Sequence, residues 1–279
     1  MSLFGSLTKG SMLKSAIKHV VEARQTEGGK AEQLFKSAYQ GFAKVIEGDL
    51  NTSEALYNWG FGLLHEAKNK DDEQAIKLLN EAIEKFTFCL LVAPNHLGAA
   101  IDGGVVYMEL ARRQNVSPDD ELYQQAEAFF IRAGKIQKGS AAYNLACIYA
   151  LRGDKEACLE ALKQAKESGS LPDEQDVMND PDMAAVKNEL WFQEFLGTVS
   201  VDKVVAAEND KRSRRGLKKV AEIKLDLPPR PTDSVLRRHY DQMVSAEIER
   251  VKQEQAEQKR QQEAAKRKKK KGDEFDYYK

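Results

Sequence analysis

The sequence predicts an all-α fold, a helical solenoid built from stacked helix–turn–helix pairs, and three observations predict it. A spaced set of small and aromatic residues recurs along the first two-thirds of the chain, clearest in Ala142, Asn144, Leu145, Ala146, Tyr149, Gly153, Asp154, Cys158, Leu162 and Ala165. Composition is that of packed helices, with 42% apolar residues, 31% charged residues and only seven prolines. The period-two alternation of strands is nearly absent. In the clearest copy, Ala146 and Cys158 are small enough for two antiparallel helices to approach closely. Tyr149 fills the gap to the neighbouring pair, and Gly153-Asp154 makes the turn.

Taken in order, the chain opens with a helix from about Met12 to Ala23, paired with a helix carrying Ala38, Phe42, Val45 and Leu50. The next unit has Leu56, Asn58, Trp59, Gly60 and Leu63 on its first helix, then Ala82, Phe86, Cys89 and Pro94. A third follows with Ala100, Gly103, Gly104 and Tyr107, then Ala126, Phe130 and Ala133, before the clearest copy. These residues resemble the tetratricopeptide repeat family, whose unit of roughly 34 residues carries Trp, Leu, Gly and Tyr on one helix and Ala, Phe, Ala and Pro on the next. The resemblance covers about residues 10–197 and implies about four helix pairs plus a capping helix. It departs from the family between Leu63 and Ala82 and between Tyr107 and Ala126, where about ten extra residues intervene. Both stretches are polar, His65 to Glu73 and Arg112 to Gln124, so they are expected to extend the helices and lengthen the exposed turn. The segment Leu171-Pro172 through Asp180-Pro181-Asp182-Met183, with Trp191, Phe192, Phe195 and Leu196, is expected to cover the last stacking face.

Residues 1–197 are thus expected to form the repeat domain, 198–231 a linker, and 232–279 a charged helix with a tail. The linker holds Ile223, Leu225 and Leu227 on one face if extended, a possible docking segment, and ends at Pro228-Pro229-Arg230-Pro231. Thr232-Asp233-Ser234 suits a helix cap ahead of an apolar stripe, Val235, Leu236, Tyr240, Met243, Val244, Ile248 and Val251. The stripe fades by Gln253, and Gln255, Gln258 and Gln262 at core-like positions weigh against a stable coiled coil. The run Lys266, Arg267, Lys268, Lys269, Lys270, Lys271 is either a solvated tail or a contact for nucleic acid or anionic lipid, and an acidic-aromatic tip follows it.

Chemistry is scarce. No two of the four histidines sit one helical turn apart with an acid between them, no Gly-Lys-Ser/Thr phosphate loop appears, and no serine lies in a nucleophile elbow. The pairs Asp71-Asp72 and Asp119-Asp120 fit helix caps better than an acid–base couple. The three cysteines are too few for a disulfide framework, and Cys89 and Cys158 stand where the repeat needs a small apolar residue. No catalytic, metal or cofactor residues are expected, and the chain reads as a non-enzymatic binding module.

The net charge of −1 gives no global attraction to polyanions, and no apolar run is long enough for a membrane span. A cytoplasmic protein is the expectation. Lys9, Lys14 and Lys18 without an acid through Val21 also fit an amphipathic membrane contact or a transit peptide. In the tetratricopeptide resemblance the first helices line a concave groove, implying a peptide-binding surface of Tyr57, Asn58, Phe61 and His65, then Ile101, Asp102, Val105 and Glu109, then Tyr143, Asn144 and Cys147. Asn58 and Asn144 either bond a peptide backbone or simply match the repeat. The family's carboxylate clamp is disfavoured, because its cation positions hold Tyr57, Phe61, Gly98 and Asp102. The expected function is therefore a scaffold that captures a peptide or partner helix, with attachment to a polyanion through the basic run as the alternative.

Overall fold

The computed structural model describes residues 3–47 and 52–197, with side chains from residue 10 onward. The chain divides into two units, Met1–Glu208 and Asn209–Lys279, and every described residue belongs to the first. Leu50, the linker, the charged helix and the basic run all lie outside the described residues.

The described residues are helical, without a strand, and the helices come in packed pairs. The pairs are α1 (Leu3–Ala23) with α2 (Gly28–Ile46), α3 (Thr52–Ala67) with α4 (Asp72–Val92), α5 (Leu97–Arg113) with α6 (Glu121–Ile136), and α7 (Ala142–Arg152) with α8 (Lys155–Glu167). Each pair also meets the next, through α2 on α3, α4 on α5 and α6 on α7. A short helix α9 (Glu174–Met178), a 3₁₀ turn (Pro181–Met183) and a helical segment over 190–197 follow.

Local chemistry sets these boundaries. Asp71, Asp120 and Asp154 each place a carboxylate on a backbone N–H in the first turn of α4, α6 and α8, as the aspartate-rich turns predict. Gly153 takes the left-handed conformation at φ 73° that ends α7, and the Asp154 N–H bonds the Tyr149 carbonyl at 2.9 Å. The polar insertions divide between helix ends and turns. Of His65 to Glu73, residues 65–67 end α3, 68–71 form the turn and 72–73 open the 21-residue α4. The corresponding turn before α6 is longer, residues 114–120. An aspartate caps the helix after each turn, Asp71 for α4 and Asp120 for α6.

Small residues mark the seams. A Cβ on Gly104 would lie 2.4 Å from the fully buried Phe130 ring, and one on Gly60 2.9 Å from Phe86. Both glycines therefore let a first helix rest on the aromatic of its partner, at a close approach a larger residue forbids. Between pairs, Tyr149 reaches α6 and donates to Glu127 at 3.0 Å, which Arg152 also meets at 2.6 Å. The turns are stapled as well: Arg113 of α5 pairs with Asp72 at 3.0 Å, and Lys70 pairs with Glu32 of α2.

Candidate functional site

The residues expected to face a groove lie on α3, α5 and α7, and the structure gathers some of them into two polar knots. In the first, the Tyr57 hydroxyl of α3 lies beside the carboxylate of Asp102 on α5, which has no exposure. Burying a carboxylate costs its hydration, and the hydroxyl of Tyr57 is the polar group that α3 brings to it. Burial, then the Asp102 charge, pushes the Tyr57 hydroxyl well above its ordinary pKa, so it stays a proton donor. The hydroxyl is enclosed although the residue as a whole is only intermediate in exposure. The Tyr57 ring lies 4.6 Å from His96, whose Nδ1 caps α5 by accepting the Ala99 N–H at 3.1 Å. Gly98 makes room, because a Cβ there would stand 2.9 Å from the Tyr57 ring.

Phe61 continues the row along α3, 6.2 Å from Tyr57 and 4.4 Å from the buried His65, with the Arg24 guanidinium over its ring at 5.3 Å. Asn58 does not join them. Its amide donates back to the Glu54 carbonyl at 2.8 Å and to the Glu54 side chain, within its own helix. On α5, Ile101 and Val105 are buried, and Glu109 pairs with Arg112 and Arg113.

The second knot holds the array's end. Tyr143, Asn144 and Cys147 of α7 are all buried, and Tyr143 donates to Asp180 at 3.1 Å. Asp180 also accepts the Asp182 N–H at 3.0 Å, and Asp182 receives Arg112 of α5 through two nitrogens, at 2.8 and 3.3 Å. Cys147, Asp180 and Asp182 offer ligand atoms within 4.8 Å of one another, a spacing a metal ion could use. Their carboxylate oxygens already hold a guanidinium, a hydroxyl and an N–H, so an ion would have to displace Arg112. The arrangement ties the Asp-Pro-Asp turn to α5 and α7, and Met183 of that turn is fully buried.

Sequence reasoning missed Arg112 and Asp182 as partners, because they stand 70 residues apart and share no local pattern. The thiols are unsuited to nucleophilic chemistry: all three cysteines are free and buried, and burial pushes Cys89 and Cys158 up to about 12. No described helix is long and apolar enough to cross a membrane. The basic residues Lys266, Arg267, Lys268, Lys269, Lys270 and Lys271 lie outside the described residues. Compared with known proteins, the chain matches no family model and no curated protein sequence.

Proposed function

We propose that this chain is a non-catalytic protein-interaction module, a solenoid of the tetratricopeptide type that captures a peptide or partner helix along α3, α5 and α7. The observation that carries the reading is the succession of helix pairs, each packed on its sequence neighbours through small-residue seams, with aromatic and amide side chains brought to α3, α5 and α7. Burial divides the labour within that surface. His65, Ile101, Asp102, Val105, Tyr143, Asn144 and Cys147 hold the framework, and recognition falls to Tyr57, Asn58 and Phe61, which are only partly buried.

An affinity capture with the full chain at about 1 M salt, where charges are screened beyond about 3 Å, tests this reading. Partners bound through the aromatic surface persist at that salt and are lost at least tenfold on Phe61→Ala. Partners that disappear at high salt, and equally on deletion of residues 266–271, would instead favour tethering to a polyanion through the basic run.

A further inference from the structure

Apolar side chains left to solvent gather toward the ends of α4 and α6. Phe88, Leu91 and Val92 are 58, 70 and 55% exposed, and Ile131 is 41% exposed. The first three stand at i, i+3 and i+4 on the last turns of α4, so they share one helix face. Single exposed apolar residues are ordinary on a surface, whereas three on one turn with a fourth on a neighbouring helix form a patch of the kind that partners cover. The two helix ends are held together by Arg132 of α6, which donates to the Leu90 and Pro94 carbonyls at 3.1 and 3.0 Å.

The surroundings of the patch have a charge sign. Neither residues 85–101 nor residues 128–153, the stretches that carry it, contain a carboxylate. Lys135 follows Arg132 by three positions on the same side of α6, and Lys138 stands in the turn after that helix. Both lysines are exposed and make no ion pair among the described residues. The carboxylates that approach have partners of their own: Glu84, one turn before Phe88, meets Lys85 at 3.9 Å, and Glu54 of α3 meets His96 at 3.9 Å and the Asn58 amide at 3.1 Å. A second copy of this chain fits poorly. A two-fold contact centred on the patch brings like-charged lysines together with no acid between them, and so few side chains fall short of the roughly 800 Å² per partner that stable dimers bury.

We propose that this surface docks an acidic amphipathic helix of a partner protein. Apolar residues spaced i, i+3, i+4 and i+7 on that helix lie along Phe88, Leu91, Val92 and Ile131, and the carboxylates beside them meet Lys135 and Lys138. The patch is carried by α4 and α6, so it is distinct from the recognition surface on α3, α5 and α7.

The test is a titration of the fluorescein-labelled peptide acetyl-Glu-Leu-Asp-Glu-Leu-Phe-Asp-Glu-Leu-amide with the full chain, followed by anisotropy. Saturable binding is expected, at least tenfold weaker on Leu91→Asp, several-fold weaker on Lys135→Glu and unchanged on Lys163→Glu of α8. All three positions are exposed, so the helical signal should stay the same. Peptides with lysine in place of every acid, or serine in place of every leucine and phenylalanine, should bind at least tenfold more weakly. No saturable binding, binding that survives Leu91→Asp, or binding that vanishes on deletion of residues 266–271 would overturn the proposal. So would a concentration-dependent dimer abolished by Leu91→Asp, which makes a second copy the occupant, or Leu91-dependent retention on phosphatidylserine vesicles, which makes it a membrane. These readouts use neither Phe61 nor a partner of the α3–α5–α7 surface, so they fail or succeed independently of that reading.

Discussion

At the residue scale, the glycines give a paired experiment. Gly104 lies against Phe130, which has no exposure and no room to retreat, whereas a Cβ on Gly134 of α6 would meet nothing within 4 Å. Gly104→Ala should therefore lose about 1–3 kcal/mol to overpacking, partly offset by the helix preference of alanine. Gly134→Ala should gain about 0.5–1 kcal/mol, because it only removes unfolded-state freedom. Denaturant unfolding of both variants checks the pair, and the same sign for both would contradict the seam geometry. The thiols supply a pH prediction. An unfolded cysteine ionises near 9.0 and the folded Cys89 and Cys158 near 12, so between these values the unfolded chain gives up protons that the folded chain keeps. Stability is then fully present below pH 9 and falls as pH rises toward 12, and the raised hydroxyls of Tyr39, Tyr57 and Tyr149 act in the same direction. Denaturation midpoints measured across that window should decline steadily. At neutral pH a thiol reagent should label none of the three cysteines until the protein is unfolded.

At the scale of single elements, caps determine where helices begin. Asp71, Asp120 and Asp154 each satisfy a first-turn N–H, while Glu27 before α2 makes no such bond. Replacing any one of the three aspartates by alanine should cost about 1 kcal/mol, and Glu27→Ala close to nothing. Thermal unfolding of the four variants would refute the assignment if Glu27→Ala proved as damaging as the others. The caps at Asp71 and Asp120 were legible in the sequence because a cap is a matter of neighbouring residues, whereas Asp154 was expected only as part of a turn. The length of the α3–α4 turn was not legible: the polar insertion from His65 to Glu73 fits a loop or a helix equally well by composition, and the Asp71 cap together with burial of Ala75 and Leu79 chose helix.

For the described part of the molecule as a whole, contacts run mostly between neighbours in sequence: from α1 to α8 each helix packs on the next, with α3 also touching α5, α1 touching α3 and the 3₁₀ turn touching α7. Short-range contacts close small loops, so folding needs no slow search for distant partners. Stopped-flow refolding should complete its main phase within about milliseconds, and any phase on the scale of tens of seconds should be accelerated by a prolyl isomerase. A dominant slow phase insensitive to the isomerase would show that long-range pairing controls folding. The exception is the tie of the final segment from Arg112 to Asp182, which reaches across 70 residues.

The sequence by itself determined the helical class, the pairing of helices, the small-residue seams such as Gly104 under Phe130, and the turn at Gly153-Asp154. Each of these depends on residues within one or two helical turns, or on a period that repeats along the chain. Only the tertiary structure decided which groove candidates became framework, because burial is fixed by what packs above a residue rather than by its own spacing. Asp102 illustrates this: it was expected to face a groove, yet it has no exposure once the neighbouring helices pack around it. The pairing of Lys70 with Glu32 belongs to the same class, since the two come from the turn after α3 and from α2 and meet only once those elements are folded together.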